Sequence, residues 1–565
     1  MVLLEIFRPD SNPLGAQWLS AAVAVLPIVA MLVTLGMLRW KAHFAGLFSL
    51  MVAAVVAVTA FQMPLGMMLS TSVEGFLYGM FPIVWILLMA IWMYEVTVAS
   101  GRFEDLRRTF FRISDDPRVV GLLVAFCFGG LLEALAGFGA PVAITAAMLL
   151  AVGFSPLRSA LIALLANTVP VAFGAVGLPV LTAARVGGFE DVLSISPITG
   201  RMTALLCLVV PFLLLLVMDG RKGVRECWPV GLVIAVTFGV TKWIVSATSM
   251  YNLTEVFASV ISVGVAIAFL RFWKPKGAVA ALVRIGKPID PRIETGMSPP
   301  AQAPVGEHRL TAGRIIMALV PYLMVIVVFG LAALPAVKRA LVSVDVTFGW
   351  PLLQNLQDAA GNPAAHGSFT FGWASTPGIL LALIALLTGF IYRMPFRQTM
   401  GVLWTNTKKM RFAALTIGSV VALAYVMGDS GQTLSLGLFI AGAGAFYPVL
   451  APVLGWIGTY VTGSDTSANI LFSGLQSSVG MEIGPGSHLG TFDMRALLVG
   501  ANAAGGVVGK MISPQSLAIA AAAIMLPGSE SVILRHILKW SLILLLLLCV
   551  LSGLMSTPVL SWLLP

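Results

Sequence analysis

Charge is scarce in this sequence. Only 10% of its 565 residues are Asp, Glu, Lys or Arg, against about 25% in an ordinary soluble domain. With 59% hydrophobic residues and a mean hydropathy of +0.97, too few polar groups exist to cover a water-facing surface. A soluble multidomain enzyme and a secreted disulfide scaffold are thereby excluded. Of the four cysteines, Cys127, Cys207 and Cys549 sit in apolar runs, Cys227 precedes a Trp-Pro step, and none pairs at CxxC spacing. They read as buried thiols rather than a metal or redox site. The net charge of +10 comes with no basic stripe interleaved with aromatics, so no nucleic-acid partner is expected. Catalytic signatures are missing as well. There is no HExxH and no acid-rich DDxxD-type cluster, and Gly137-Phe138-Gly139 lacks a third Gly and a preceding strand. In Gly505 through Lys510 the first Gly is one place too near and Met511 stands where a phosphate loop needs Ser or Thr. No nucleotide-sized soluble domain exists for an ATP-driven pump, no cofactor is expected, and an enzyme is the least favoured class.

What the sequence does have is apolar runs throughout its length. Segments near 17–38, 44–61, 76–98, 119–152, 156–184, 203–218, 228–247, 253–272, 314–336, 376–393, 410–427, 433–475, 495–526 and 537–560 are separated by turns rich in Gly, Pro or charge. At about 20 residues per crossing they predict an all-α polytopic membrane protein with roughly 12–14 transmembrane helices. The N-terminus carries Glu5, Arg8 and Asp10 with no small-residue cleavage signature after the first apolar run, so that run is expected to be a retained span. Basic residues concentrate in short loops: Arg39 and Lys41; Arg102, Arg107, Arg108, Arg112 and Arg118; Arg221, Lys222 and Arg225; Arg393, Arg397, Lys408, Lys409 and Arg411. The positive-inside rule places these in the cytoplasm and, since 62–75 has no basic residue, turns the N-terminus outward. The stretch 273–313, with Pro275, Pro288, Pro291, Pro299, Pro300 and Pro304 among basic residues, predicts an extended cytoplasmic linker. The segment 337–375, with Asn355, Asp358, Asn362 and His366, falls outside by alternation.

Four segments are too long for one crossing and are interrupted by Gly, Pro or polar residues: 119–152, 156–184, 451–476 and 495–526. Non-helical backbone at membrane depth is tolerated only where protein or a water-filled cavity surrounds it. The second and fourth also resemble each other, because Asn167, Gly174 and Pro179 recur as Asn502, Gly509 and Pro514 at one constant offset. An acidic residue precedes each Asn at a similar spacing, Glu133 in one case and Asp465 in the other. The chain therefore divides into an N-terminal repeat half, 1–272, and a C-terminal repeat half, 314–565, joined by the linker. Duplicated halves with broken helices in matching places are the sequence pointer to a secondary transporter with its site at the repeat interface.

Within those segments, few residues can carry chemistry. Glu133 lies in an apolar run, where an ionised carboxylate is expensive unless partnered, and it is the expected proton carrier, with Asp465 as second choice. Asp465 and Asn469 are spaced to share one helix face, and free amides at a half-helix start beside Ser464 bind an anion well. The same hydroxyl-rich segment can equally coordinate a sodium ion, which keeps a sodium-coupled carrier of another small carboxylate open as the alternative. An ordinary N-cap shares that geometry. Asn167 and Asn502 can donate to a carboxylate and accept from a hydroxyl, which suits a hydroxy acid, although such residues also tie helices together. Lys510 can pair with a substrate carboxylate or an acidic side chain, or snorkel to the interface. The expected substrate-binding set is thus Asn167, Ser464, Asn469, Asn502 and Lys510, with no metal site. Arg158 and Arg495 read as cytoplasmic helix-end anchors.

The motifs around these residues are similar to those of a known family. The stretches Phe128-Gly129-Gly130-Leu131-Leu132-Glu133 through Ile144-Thr145-Ala146, Asn167 through Pro179, Gly463-Ser464-Asp465-Thr466-Ser467 and Gly505 through Gln515, with Tyr78-Gly79, Pro82 and Trp85, resemble the signature segments of bacterial L-lactate permeases. The resemblance runs from about Trp18 to Pro565. It implies a multipass inner-membrane protein, taking up lactate and often glycolate with a proton, in a wider group of transporters with inverted repeats and re-entrant hairpins. Partners implied are the substrate, protons and the lipid bilayer; the oligomeric state is not legible.

Overall fold

The computed structural model describes residues 6–34, 38, 40–110, 113–135, 137, 139–290, 294, 311–357, 368–526 and 528–565. They are helical almost throughout, apart from one antiparallel hairpin in which Val346–Gly349 pairs with Ser368–Phe371, Val346 lying opposite Phe371. Ten of the described helices are long and apolar enough to cross a membrane, eleven if the bent pair Pro156–Ala166 and Val171–Val186 counts as one, and three shorter apolar helices accompany them. Length explains why this tally differs from an expectation of 12–14. Ser196–Val245 has 50 residues, about 75 Å if straight, more than twice a bilayer's hydrocarbon core. It breaks at Asp219 and Gly220, so its two arms form two crossings.

The four interrupted segments form the centre. Pro117–Leu135 stops short of Ala140–Val152, with Gly137 and Gly139 left-handed between them. Pro156–Ala166 and Val171–Val186 meet at 60°. Tyr447–Thr462 turns at Gly463 into Asp465–Ile483. Gly490–Lys510 pauses at 511–513 before Pro514–Ala523. The first and third make hairpins; the second and fourth are broken helices. Each hairpin engages the broken helix of the other half: Glu133 pairs with Lys510, and Asn469 Nδ2 donates to Pro179 O at 3.3 Å. Within the second half, Gly455, Gly505 and Gly509 face backbone at Asn502, Pro452 and Trp456 so closely that a Cβ on any of them would collide. Such small-residue contact is how helices pack where lipid removes the hydrophobic drive between them.

Burial runs against hydropathy, as a lipid solvent requires. The most apolar 18-residue stretch of Gly313–Ala332, the most apolar of the ten spans, is 28% buried, whereas the corresponding stretch of Gly490–Ala523, the least apolar, is 100% buried. Polar residues are thus paired inside protein and the greasiest helices face outward.

On the side assigned to the cytoplasm, Arg118 is wholly buried among Asp116 (2.8 Å), Asp219 (3.0 Å) and Glu226, and Arg284 adds a 2.6 Å bond to Asp219. Arg284 belongs to Ala278–Ile285, a short helix within 273–313 that docks on the core: Ser155 N–H donates to Ile285 O at 3.1 Å and Arg158 Nη1 to Arg284 O at 2.9 Å. This part of the stretch is therefore folded against the core rather than extended. Positions 291–293 and 295–310, with Pro291, Pro299, Pro300 and Pro304, lie outside the described residues, as do Asp358, Asn362 and His366.

Candidate functional site

A small chamber lies between the two halves, lined by Glu133, Gly174, Pro179, Ser464, Asp465 and Lys510, together with neighbouring residues of the same breaks. Its free space is about 30 Å³, room for one or two waters. All three charged side chains are buried: Glu133 and Asp465 are each 2% exposed and Lys510 7%. Lys510 Nζ donates to Glu133 Oε1 at 2.5 Å. Glu133 Oε2 and both carboxylate oxygens of Asp465 have no hydrogen-bond partner. Two acids thus share one ammonium, and with all three ionised the chamber carries a net single negative charge.

Local sequence places each of these groups. Glu133 sits in the last turn before the first hairpin's break, which Gly137 and Gly139 enforce. Lys510 is the last residue before the Pro514 restart, where the freed carbonyl of Lys510 takes the Ser513 N–H. Asp465 opens its helix behind the Ser464 N-cap, whose hydroxyl accepts from Ser467 N–H at 3.3 Å. Thr462 Oγ1 is likewise spent locally, donating to Gly458 O at 2.7 Å and Ser464 O at 3.0 Å. Gly506 is required behind Asp465, because a Cβ there would collide with Asp465 Oδ1.

Of the residues singled out in the sequence, then, Glu133, Ser464, Asp465 and Lys510 come together, and Lys510 pairs with an acid rather than snorkelling. Asn167, Asn469 and Asn502 stand outside the chamber. Asn502 Nδ2 donates to Asn469 Oδ1 at 2.9 Å, and Asn502 Oδ1 accepts from Gln476 Nε2 at 3.3 Å. Gln476 Oε1 in turn accepts from Tyr447 OH at 2.9 Å. The amides of Asn469 and Asn502 tie the second hairpin to its broken helix, since buried side-chain amides are held by hydrogen-bond partners. Asn167 caps Pro156–Ala166 with its Oδ1 buried and unpartnered. Arg158 and Arg495 lie outside the chamber too, but not on one face: Arg158 bonds Arg284 O beside the Arg118 cluster, whereas Arg495 bonds Ser477 Oγ at 2.9 Å and Gly187 O at 3.2 Å at the opposite end of the fold, because Gly174–Val186 carries Gly187 away from that cluster.

One pair escaped the sequence analysis. Lys242 and Glu255, both fully buried, meet at 2.5 Å, and Lys242 Nζ also donates to Val169 O at 2.7 Å within the unwound part of the first broken helix. Its signal was present: two consecutive apolar segments, each with one charge of opposite sign near their facing ends. Among the described residues no group of three or more His, Cys, Asp or Glu could hold a metal ion.

Crossed hairpins and broken helices around a buried charged chamber define a polytopic helical membrane protein built as a carrier is built. The L-lactate permease family model matches residues 20–559. The chain is 39% identical to "Glycolate permease GlcA" of Escherichia coli over 94% of each chain, and 37% identical to "L-lactate permease" of Bacillus subtilis over 98% of this chain and 99% of that one. It belongs to the L-lactate permease family. Among solved structures, the antimetabolite efflux pump MtrF of Neisseria gonorrhoeae aligns at a TM-score of 0.44 and 13% identity, covering 86% of this chain and 83% of that one.

The chamber's dimensions make one prediction immediate. A Cβ on Gly174 would stand 2.9 Å from Glu133 Oε1 and 3.2 Å from its Cγ, so Gly174→Ala must push the carboxylate off its present position. Displacing a reacting group by about 1 Å costs on the order of 100-fold in other sites. Transport by Gly174→Ala at matched membrane abundance is expected to fall at least about tenfold; activity within twofold of the parent would show that the carboxylate's placement is not critical.

Proposed function

We propose that this protein is a secondary active transporter that couples proton movement to uptake of L-lactate and related 2-hydroxy monocarboxylates, D-lactate and glycolate among them, across the bacterial inner membrane. The two repeat halves, 1–272 and 314–565, supply one hairpin and one broken helix each to a single central site. The observation that carries this reading is the Glu133–Lys510 pair in a buried chamber beside an unpartnered Asp465. The names of the relatives favour the substrate.

The chemistry follows from charge counting. In the empty chamber Lys510 is occupied by Glu133, and one proton on Asp465 makes the set neutral. A substrate carboxylate adds one negative charge, which a buried site accepts only if it is balanced. A proton on Glu133 provides that balance and at the same time releases Lys510 to bind the substrate anion. Substrate and proton therefore load together, one to one, and neither charge crosses alone. Ser464 and Thr466 line the same chamber and present hydroxyls to the substrate's polar end. A chamber of about 30 Å³ must widen to admit the cargo, which is the motion alternating access requires.

The test is uptake of labelled lactate and glycolate into proteoliposomes with pH and sodium gradients imposed separately. A gradient of about one pH unit, acid outside, is expected to support accumulation of up to about tenfold, and a sodium gradient none. Uptake that follows sodium and ignores pH would overturn the proton reading.

A further inference from the structure

A second cavity, about 300 Å³, opens on the opposite side from the Arg118 cluster and is lined in part by Arg185, Tyr251, Asn252, Lys338 and Thr376. Its side of the membrane follows from the fold. The arm 196–218 runs from the Arg118 cluster at Asp219 to Ser196, so 187–195 lies at the far face, and the second arm returns 246–253 to the same face. With the basic loops inside, this vestibule faces outward.

Three observations concern what it holds. Arg185, in the last turn of Gly174–Val186, forms no hydrogen bond or ion pair among the described residues, although Glu190 and Asp191 share the vestibule. Asp191 Oδ1 is occupied by Leu193 N–H at 3.0 Å. Thr376 Oγ1 is buried without a hydrogen-bond partner. A guanidinium fork and a spare hydroxyl lining one cavity are the groups a carboxylate and its neighbouring hydroxyl bind.

The route inward is also marked. Gly174–Val186 reaches from the chamber, at Gly174 and Pro179, to the vestibule, at Leu181 and Arg185. Ala175, which also lines the chamber, is left-handed together with Val176 and Gly177, with φ of 43°, 60° and 76°. Such a conformation is strained for a β-branched residue. A Cβ on Gly177 would stand 3.1 Å from Asn252 Cα, so backbone packs on backbone there.

We propose that this vestibule is an outer capture site for small monocarboxylate anions, with Arg185 as its anion-binding group, and that the turn Ala175–Gly177 packed on Tyr251–Asn252 is the partition between it and the chamber. The inference rests on the carboxylate-carrier reading above. Being ten times roomier than the chamber, the vestibule also takes 2-hydroxy acids too bulky to pass, such as mandelate.

Right-side-out cells or vesicles test it. Arg185→Gln is expected to raise the external KM for lactate about tenfold or more, the usual worth of a charge-assisted contact, with the maximal rate within about twofold and the KM for efflux from the inside unchanged. Arg185→Lys, which keeps the charge but not the fork, should recover part of the loss. External mandelate should inhibit uptake by the parent protein without being carried, and inhibit Arg185→Gln at least about tenfold more weakly. An unchanged external KM, or an internal KM raised as much as the external one, would overturn the proposal. Failure of the parent protein to carry lactate at all would instead overturn the underlying function.

Discussion

Glu133→Gln is expected to abolish proton-driven accumulation of lactate while leaving exchange of lactate for lactate intact. Gln has the shape of the protonated acid but cannot release its proton. Lys510, which meets Glu133 at 2.5 Å in the parent protein, is then permanently available to the substrate carboxylate. Loading no longer requires a proton, so a gradient of about one pH unit should move the accumulation ratio from up to tenfold to about one. Counterflow, preloaded unlabelled lactate against external labelled lactate, should persist. Lys510→Met is the complementary variant: it strands two carboxylates in the chamber and removes the anion's partner, so both net uptake and counterflow should disappear. Near-normal accumulation by Glu133→Gln would remove this residue from the coupling mechanism, and loss of counterflow as well as accumulation would mean that it also binds substrate.

Lys242→Met should be the most destabilising single change. Lys242 and Glu255 are fully buried, and the ammonium also serves Val169 O. Removing one partner of such a pair leaves an uncompensated charge and costs about 3–5 kcal/mol, whereas replacing both by apolar residues of similar volume is often neutral. The single variant should show a marked fall in thermal midpoint in detergent and in membrane abundance. Lys242→Met combined with Glu255→Leu should recover most of both, to within about 1–2 kcal/mol, the remainder being the orphaned Val169 carbonyl. A single variant as stable as the parent would mean that water reaches this pair.

The two variants differ in how visible their targets were. Glu133, Asp465 and Lys510 stand out because each is a charge inside a Gly- or Pro-interrupted apolar run, and the cost of a lone charge in lipid is a property of the run itself. Ser464 as a cap is equally local, since capping is settled within four residues. The bond between Asn469 and Asn502 was not legible, because an amide that binds a ligand and one that bonds another amide look the same along the chain. Lys242 and Arg185 escaped for a related reason. Both occupy the ends of apolar helices, where a basic residue is ordinarily solvated; only packing shows that one is sealed against Glu255 and the other lines a cavity.

What the sequence by itself determined is the solvent and the places where helices break. Each depends on local quantities, the transfer free energies of neighbouring residues and Gly and Pro acting on their own backbone. What only the tertiary structure decided is which charges meet. Glu133 and Lys510 are 377 positions apart, and they pair because each hairpin crosses to the broken helix of the other half. A buried charge announces that it needs a partner, but the partner is chosen by long-range packing, which no local pattern encodes.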